Sequence, residues 1–302
     1  MSASQMSAPK TMIRPRRSAL YMPASNPRAI EKARLIAADC IILDLEDAVA
    51  PDMKEVARAQ AVKAVADGGF GHRELVIRTN APESTWFDAD LSAASQSGAD
   101  AIMIPKVSRP ETLAMIGARL AASDAPAHTR VWAMIETAFA VLRVEAIAAM
   151  ALLPEARLSC FVIGANDLAK DTRARIVPGR APMLPWLAMT LAAARAYQLD
   201  ILDGVYNDFS DLEAFRAEAE QGRDMGFDGK TLSHPAQAEI ANAVFSPTAE
   251  DLKKAREIID AFALPENRNK GAISLNGWMV ERLHAEMATR IVALDAAIQA
   301  RT

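Results

Sequence analysis

Eight apolar runs of strand length recur along the chain, at residues 18–24, 40–46, 74–80, 101–107, 131–136, 158–164, 201–206 and 228–233. Between them lie Ala-rich segments with apolar residues at helical spacing, among them PRAIEKARLIAA, MKEVARAQAVKAVA and ETLAMIGARLAA. Short apolar runs alternating with amphipathic helices predict βαβ units and a parallel sheet. Eight such units in about 225 residues predict an α/β fold, a (β/α)8 TIM barrel. A doubly wound open sheet is the alternative, but it normally has fewer strands, and no GxGxxG follows the first run.

Right-handed crossovers bring the C-terminal ends of all parallel strands to one edge, where a barrel of this kind keeps its active site. The polar residues at those ends are therefore the ones to weigh. They are Tyr21, Ser25, Asn26 and Arg28 after the first run, Asp44, Glu46 and Asp47 after the second, Arg78 and Asn80 after the third, and Lys106 after the fourth. Glu136 follows the fifth, Asn166 and Asp167 the sixth, Asn207 and Asp208 the seventh, and Lys230 and His234 belong to the eighth. Glu136 and Asp167 are about thirty residues apart in the chain, yet this topology lets them face one site. A capping or ion-pairing role would explain either carboxylate alone. Two carboxylates on a buried edge are costly without a cation, and Mg²⁺ suits such a pair because it keeps open positions for water and a chelating substrate.

The 302 residues are 51% hydrophobic and 24% charged, enough for one large core. A net charge of −4 gives no long-range attraction for nucleic acid or an anionic membrane. No run reaches the length of a membrane span. Cys40 and Cys160 lie inside apolar runs and read as buried thiols of a reducing compartment, which makes the expected location cytoplasmic. Four scattered histidines and two cysteines show no zinc-ligand spacing. The expected organisation is a disordered N-terminal tail at residues 1–16, a catalytic barrel at 17–245 and a C-terminal helical extension at 246–302. The extension is read as a helix, a Gly-containing turn and a second long helix, packed on the barrel or on a neighbouring subunit.

Several short motifs stand at these strand ends in order: YMPAS, DLEDAVAP followed by Lys54, V-x-R-x-N, IPKV, MIET, G-x-x-D-L, G-K-x-x-x-H-P-x-Q, and finally G-A-x-x-x-x-G-x-M-V. Together they resemble the citrate lyase β-subunit and malyl-CoA lyase family of the HpcH/HpaI aldolase superfamily, over residues 17 to about 295. The resemblance implies a Mg²⁺-dependent barrel, with Mn²⁺ a possible substitute, that breaks a carbon–carbon bond to release a thioester enolate and a 2-oxo acid. It implies Glu136 and Asp167 as metal ligands and Arg78 as the cation that neutralises the enolate oxygen. It also implies Asp44, Glu46 and Asp47 as an acidic cluster around Arg78, and Glu281 as the general acid/base. Arg28 and Lys32 would meet coenzyme A phosphates, although an exposed helix face explains them equally well. Lys106 would contact substrate.

Asp47 stands where the related class II pyruvate aldolases carry His, which favours the thioester branch. Three departures from the family pattern are Glu281 in place of Asp, Ala140 in place of Gly and Ser233 in place of Ile. The expected substrate is a carboxylated 3-hydroxyacyl-CoA of the malyl-CoA, methylmalyl-CoA or citramalyl-CoA type. An aldolase acting on free 4-hydroxy-2-oxo acids and a citrate lyase β subunit acting on a citryl carrier protein are the alternatives. The expected assembly is a homo-oligomer, a trimer or hexamer.

Overall fold

The computed structural model describes residues 13–301, so residues 1–12 of the tail expected at 1–16 lie outside the described residues. The chain forms two compact units, one of Arg16–Phe245 and one of residues 246–301 with 13–15. In the first unit eight parallel strands close in sequence order, as the alternation of runs predicts: β1 (Ser18–Pro23), β2 (Cys40–Asp44), β3 (Glu74–Arg78), β4 (Ala101–Ile104), β5 (Arg130–Ile135), β6 (Leu158–Ile163), β7 (Asp200–Asp203) and β8 (Gly229–Leu232), with β8 pairing β1. The fold is a (β/α)8 barrel. Several strands stop earlier than the apolar runs, so Glu46, Asn80, Lys106 and Tyr206 sit in the loops beyond them.

Side chains alternate between two layers, as the period of a strand requires. Leu20, Ile41, Leu43, Ile77, Ile102 and Phe161 belong to the large core shared with the helices. Ala19, Ile42, Val76, Met103, Trp132, Met134 and Val162 form a separate cluster inside the barrel. That parity continues to the strand ends. Tyr21, Asp44, Arg78 and Glu136 each stand two residues past an inward-facing residue and so turn into the barrel mouth.

Arg16, placed in the tail by the sequence, belongs instead to the barrel. It is only 7% exposed, forks onto both oxygens of Glu74 at 2.7 Å, pairs with Asp200 and lies 5.0 Å from the Trp132 ring centroid. Lys230, weighed from sequence for its place on the eighth run, is fully buried, with Asp203 at 2.9 Å and Glu218 at 2.8 Å. Asp203 also accepts from Arg180 at 2.7 and 2.8 Å. This network of two cations and two carboxylates is internally neutralised.

In the second unit, helix Ala249–Ala263 starts on a capping box of Thr248 and Asp251, and helix Arg282–Gln299 closes the chain. The stretch between them is not simply a turn. Ala272–Leu275 (β9) and Trp278–Glu281 (β10) form an antiparallel hairpin around Asn276 and Gly277, both at positive φ, 51° and 83°. Asn-Gly is the residue pair that a two-residue hairpin turn favours, so the signal was present in the sequence. Phe262, Ile273 and Val280 form this unit's own small core.

Replacing Asp203 with Ala leaves Arg180 and Lys230 buried without their shared partner. We expect a loss of about 3–5 kcal/mol, read as a lowered urea midpoint at unchanged m-value.

Candidate active site

Arg78, at the end of β3, is clamped rather than free. Its Nε and Nη2 donate to the two oxygens of Asp44 at 2.6 and 2.7 Å, a bidentate fork. Nη1 meets Glu46 at 3.0 Å and Asp47 at 3.4 Å, and the guanidinium lies 4.7 Å from the Tyr21 ring centroid. Of the three carboxylates expected around Arg78, Asp44 is the strongest partner. Asp44 is fully buried and also accepts the backbone N–H groups of Glu46 and Ala48. Burial opposes its charge, but Arg78 and these donors outweigh burial and hold the carboxyl below its usual range. Its oxygens are thus committed to orienting Arg78 and the loop after β2. Lys54 secures the same loop by donating to the carbonyls of Leu45 and Glu46, each at 2.7 Å, and to Asn80 at 2.6 Å.

Glu136 follows β5 and is 2% exposed. It accepts the backbone N–H of Lys106 at 2.7 Å. Lys106 takes a left-handed conformation, φ 55°, and its Nζ donates to Glu46 at 3.0 Å. One residue thus ties the β4 loop to two carboxylates. Burial opposes the Lys106 charge, but Glu46, Asp167 and Glu136 raise its pKa above the ordinary lysine value. Asp167 stands in the first turn of helix Ala165–Thr172, directly after β6. Gly164 supplies the space between them, since a Cβ there would collide with the Glu136 carboxylate.

Tyr21, Asp44, Asp47, Arg78, Glu136 and Asp167 all line one cavity of about 360 Å³ at the barrel mouth. Burial first, then the nearby charge of Glu46 and that of Asp167, pushes the Glu136 carboxyl up to about 8. Burial and Asp47 also raise Glu46, against the pull of Arg78 and Lys106. Five carboxylates, those of Asp44, Glu46, Asp47, Glu136 and Asp167, thus face two cations, Arg78 and Lys106, around this mouth. Among the described residues no group of three or more His, Cys, Asp or Glu side chains is arranged to hold an ion. A hard divalent cation fits what is there, because Mg²⁺ takes one or two protein carboxylates and fills its other positions with water or substrate oxygens.

The other candidates differ in their surroundings. Arg28 and Lys32 are exposed on helix Pro27–Ala33 and make no ion pair among the described residues. Glu281 lies in the second unit at the start of helix Arg282–Gln299, where its side chain accepts the His284 N–H and its own N–H donates to His284 Nδ1 at 2.9 Å. His234 is structural: Nδ1 accepts the Ala236 N–H and the ring stacks on Phe209. Ala140 is buried in helix Ala138–Leu142, and Ser233 lines the cavity with its hydroxyl donating to the Tyr206 carbonyl at 3.0 Å. Tyr21, weighed at its strand end without a role, places its ring under Arg78, and its hydroxyl reaches the sulfurs of Met103 at 3.5 Å and Met134 at 3.9 Å. Asn166 and Asn207, weighed separately at the β6 and β7 ends, exchange amide hydrogen bonds of 3.1 and 2.8 Å with each other.

A profile of the family described as HpcH/HpaI aldolase/citrate lyase matches residues 17–235. The chain belongs to this family. The family includes citrate lyases, and the chain is an enzyme. It is 48% identical to a (3S)-malyl-CoA thioesterase of Cereibacter sphaeroides over 286 residues, which cover 95% of this chain and 96% of the relative. It is 32% identical to the citrate lyase subunit beta of Leuconostoc mesenteroides, covering 92% of this chain and 93% of that one. A solved structure of CitE from Mycobacterium tuberculosis, in complex with magnesium, acetoacetate and coenzyme A, superposes with a TM-score of 0.75 at 27% identity, covering 92% of this chain and 97% of that one.

For this member of the family the raised Glu136 carboxyl sets a pH signature. Its folded value of about 8 lies above the ordinary 4.5, so the chelated protein binds more protons folded than unfolded within that window. The contribution is present below pH 4.5 and lost as pH rises toward 8. Urea titrations in EDTA should show wild-type stability falling with pH relative to Glu136→Gln, by an amount on the order of a few kcal/mol across the window. Parallel pH profiles of the two proteins would show that the group is not perturbed.

Proposed function

We propose that the chain cleaves a carboxylated 3-hydroxyacyl-CoA of the malyl-CoA type at the bond between C2 and C3, giving an acyl-CoA and a 2-oxo acid. The observation that carries this reading is the meeting of a clamped, permanently charged Arg78 with the Glu136–Asp167 pair in one cavity. Glu136 and Asp167 would hold Mg²⁺, or Mn²⁺ in its place, and the ion would supply a Lewis acid for the substrate's carboxylate and 3-hydroxyl oxygens.

Arg78 faces the thioester carbonyl. When the C2–C3 bond breaks, its electron pair passes into the thioester and charge develops on that oxygen, beside a donor whose orientation Asp44 has already fixed. Asp47 lines the cavity with a side chain 62% exposed, unlike the enclosed Asp44 and Glu46, and is the acceptor this reading assigns to the 3-hydroxyl proton. Glu281 of a neighbouring subunit is assigned the proton returned to C2. Similarity to a (3S)-malyl-CoA thioesterase and to a CitE solved with coenzyme A supports a CoA thioester as the substrate.

A second reading, hydrolysis of the thioester of the same substrate, is favoured by the 48% identity to the (3S)-malyl-CoA thioesterase. Among the described residues the cavity offers no side-chain nucleophile with a base. Cys40 and Cys160 are fully buried, the Ser233 hydroxyl is held by Tyr206, and His234 Nδ1 is engaged. Hydrolysis here would use water directly.

Incubation with Mg²⁺ and (3S)-malyl-CoA separates the two: lyase action yields acetyl-CoA and glyoxylate, hydrolysis yields malate and free CoA thiol. We expect acetyl-CoA and glyoxylate, with turnover lost in EDTA and in Glu136→Gln or Asp167→Asn while circular dichroism is unchanged. Malate with free thiol would establish the second reading. Reaction only with free 4-hydroxy-2-oxo acids, or only with a citryl carrier protein, would overturn both.

A further inference from the structure

Glu136 and Asp167 reach the cavity from different strand ends, and the charge of Asp167 acts against that of Glu136, which disfavours their approach. Below them the two segments are joined through the sheet. Ile135 pairs with Ile163, and the Gly164 N–H donates to the Ile135 carbonyl at 3.2 Å. Beyond the strands that ladder ends, and the chain diverges into helix Ala138–Leu142 on one side and helix Ala165–Thr172 on the other.

A side chain rejoins them. Asp171 stands one turn after Asp167 on the same face of its helix, and its Oδ2 accepts the Ala138 N–H at 2.6 Å. Ala138 is two residues past Glu136. It opens its helix, where a backbone N–H has no partner within the helix itself. That helix already has a cap of its own, since Thr137 accepts the Ala140 N–H at 3.0 Å. Asp171 therefore does more than finish a helix end: it ties the helix that carries Asp167 to the segment that carries Glu136. Thr137 extends the tie to the β4 loop, because its hydroxyl lies 2.7 Å from that of Ser108, which donates to the Lys106 carbonyl at 3.1 Å. Lys106 in turn places its N–H on Glu136.

We propose that Asp171 is a positioning residue, which sets the separation of the Glu136 and Asp167 carboxylates through the Ala138 N–H and thereby the affinity of the pair for a divalent cation. The inference rests on the reading that this pair holds the metal. Sheet pairing below and the Asp171 bond above close a frame, so the two carboxylates are kept at one separation against their repulsion. Mg²⁺ demands near-ideal octahedral geometry, so a ligand pair free to drift apart binds it less well. Asp171 is not among the residues that line the cavity, and it acts through the backbone of both segments.

The bond can be removed from either side. Asp171→Ala takes away the acceptor, and because Asp171 is exposed the change opens no cavity. Ala138→Pro takes away the donor at a first helical position, which proline favours, and Thr137 before it is already extended, φ −127° and ψ 154°, as a residue preceding proline prefers. The test is calorimetric titration of the full-length, EDTA-stripped proteins with Mn²⁺ alone. Each variant should bind Mn²⁺ about 10-fold or more weakly than the wild type. The double variant should fall within about 2-fold of the weaker single variant, because the same bond is removed twice. Asp171→Asn keeps a side-chain oxygen acceptor and should stay within about 3-fold of the wild type. Asp211→Ala, which removes an exposed cap from the Ala214 N–H of helix Leu212–Met225, should lower the urea midpoint as Asp171→Ala does but leave Mn²⁺ affinity unchanged. Wild-type affinity in Asp171→Ala or Ala138→Pro would overturn the inference while leaving the metal reading standing. So would losses that multiply in the double variant, or a loss in Asp171→Asn or Asp211→Ala as large as in Asp171→Ala. Equal Mn²⁺ affinity of the wild type and Glu136→Gln would remove the metal reading and this inference with it.

Discussion

Uncompensated negative charge at the mouth of the barrel is the constraint around which the site is arranged. Glu136 is buried at the end of a strand, lifted toward neutrality by its surroundings, and faces Asp167 across a cavity that Arg78 and Lys106 only partly neutralise. Such an arrangement is unfavourable for folding and persists where the surrounding structure over-determines it. Gly164 gives Glu136 its space, and the left-handed Lys106 turns its N–H onto that carboxylate. Both features follow from placing a charge where a cation and substrate would complete it.

Arg78 shows the complementary principle. A cation meant to meet an oxyanion that exists only during reaction must be fixed in advance, or its reorganisation adds to the barrier. Asp44 supplies that fixation with a bidentate fork, the Tyr21 ring lies alongside the guanidinium, and Lys54 secures the loop that brings Glu46 and Asp47 to the same place. The inward parity of the strands makes the assembly possible, because each active side chain extends an alternation begun in the barrel interior. At the opposite end of that interior, Arg16 and Glu74 meet beside Trp132, so the layer that points the site residues outward is anchored from below.

Much of this was legible in the sequence because its signals were local and periodic. Eight runs ending in polar residues gave the barrel, its order and the edge where the chemistry collects. Pairings across the barrel were harder to read. Nothing in DLEDA separates an Asp that clamps Arg78 from a Glu that meets Lys106, since the choice depends on which side chains face inward at the strand's last residue. Lys230 and His234 looked like site residues by position, yet Lys230 lies inside β8, alternating with the cavity-lining Thr231, and enters a buried network, while His234 caps the turn that follows. The hairpin of β9 and β10 was missed despite its Asn-Gly turn, because four-residue strands beside a long helix leave little periodicity to detect.

The most direct measurement is an anomalous difference map from crystals grown with Mn²⁺ and pyruvate. The account predicts one strong peak in the barrel-mouth cavity, with an oxygen of Glu136 and one of Asp167 each about 2.0–2.2 Å from it and the 2-oxo acid completing the coordination. A peak bound elsewhere, or a cavity empty of metal at saturating Mn²⁺, would contradict it.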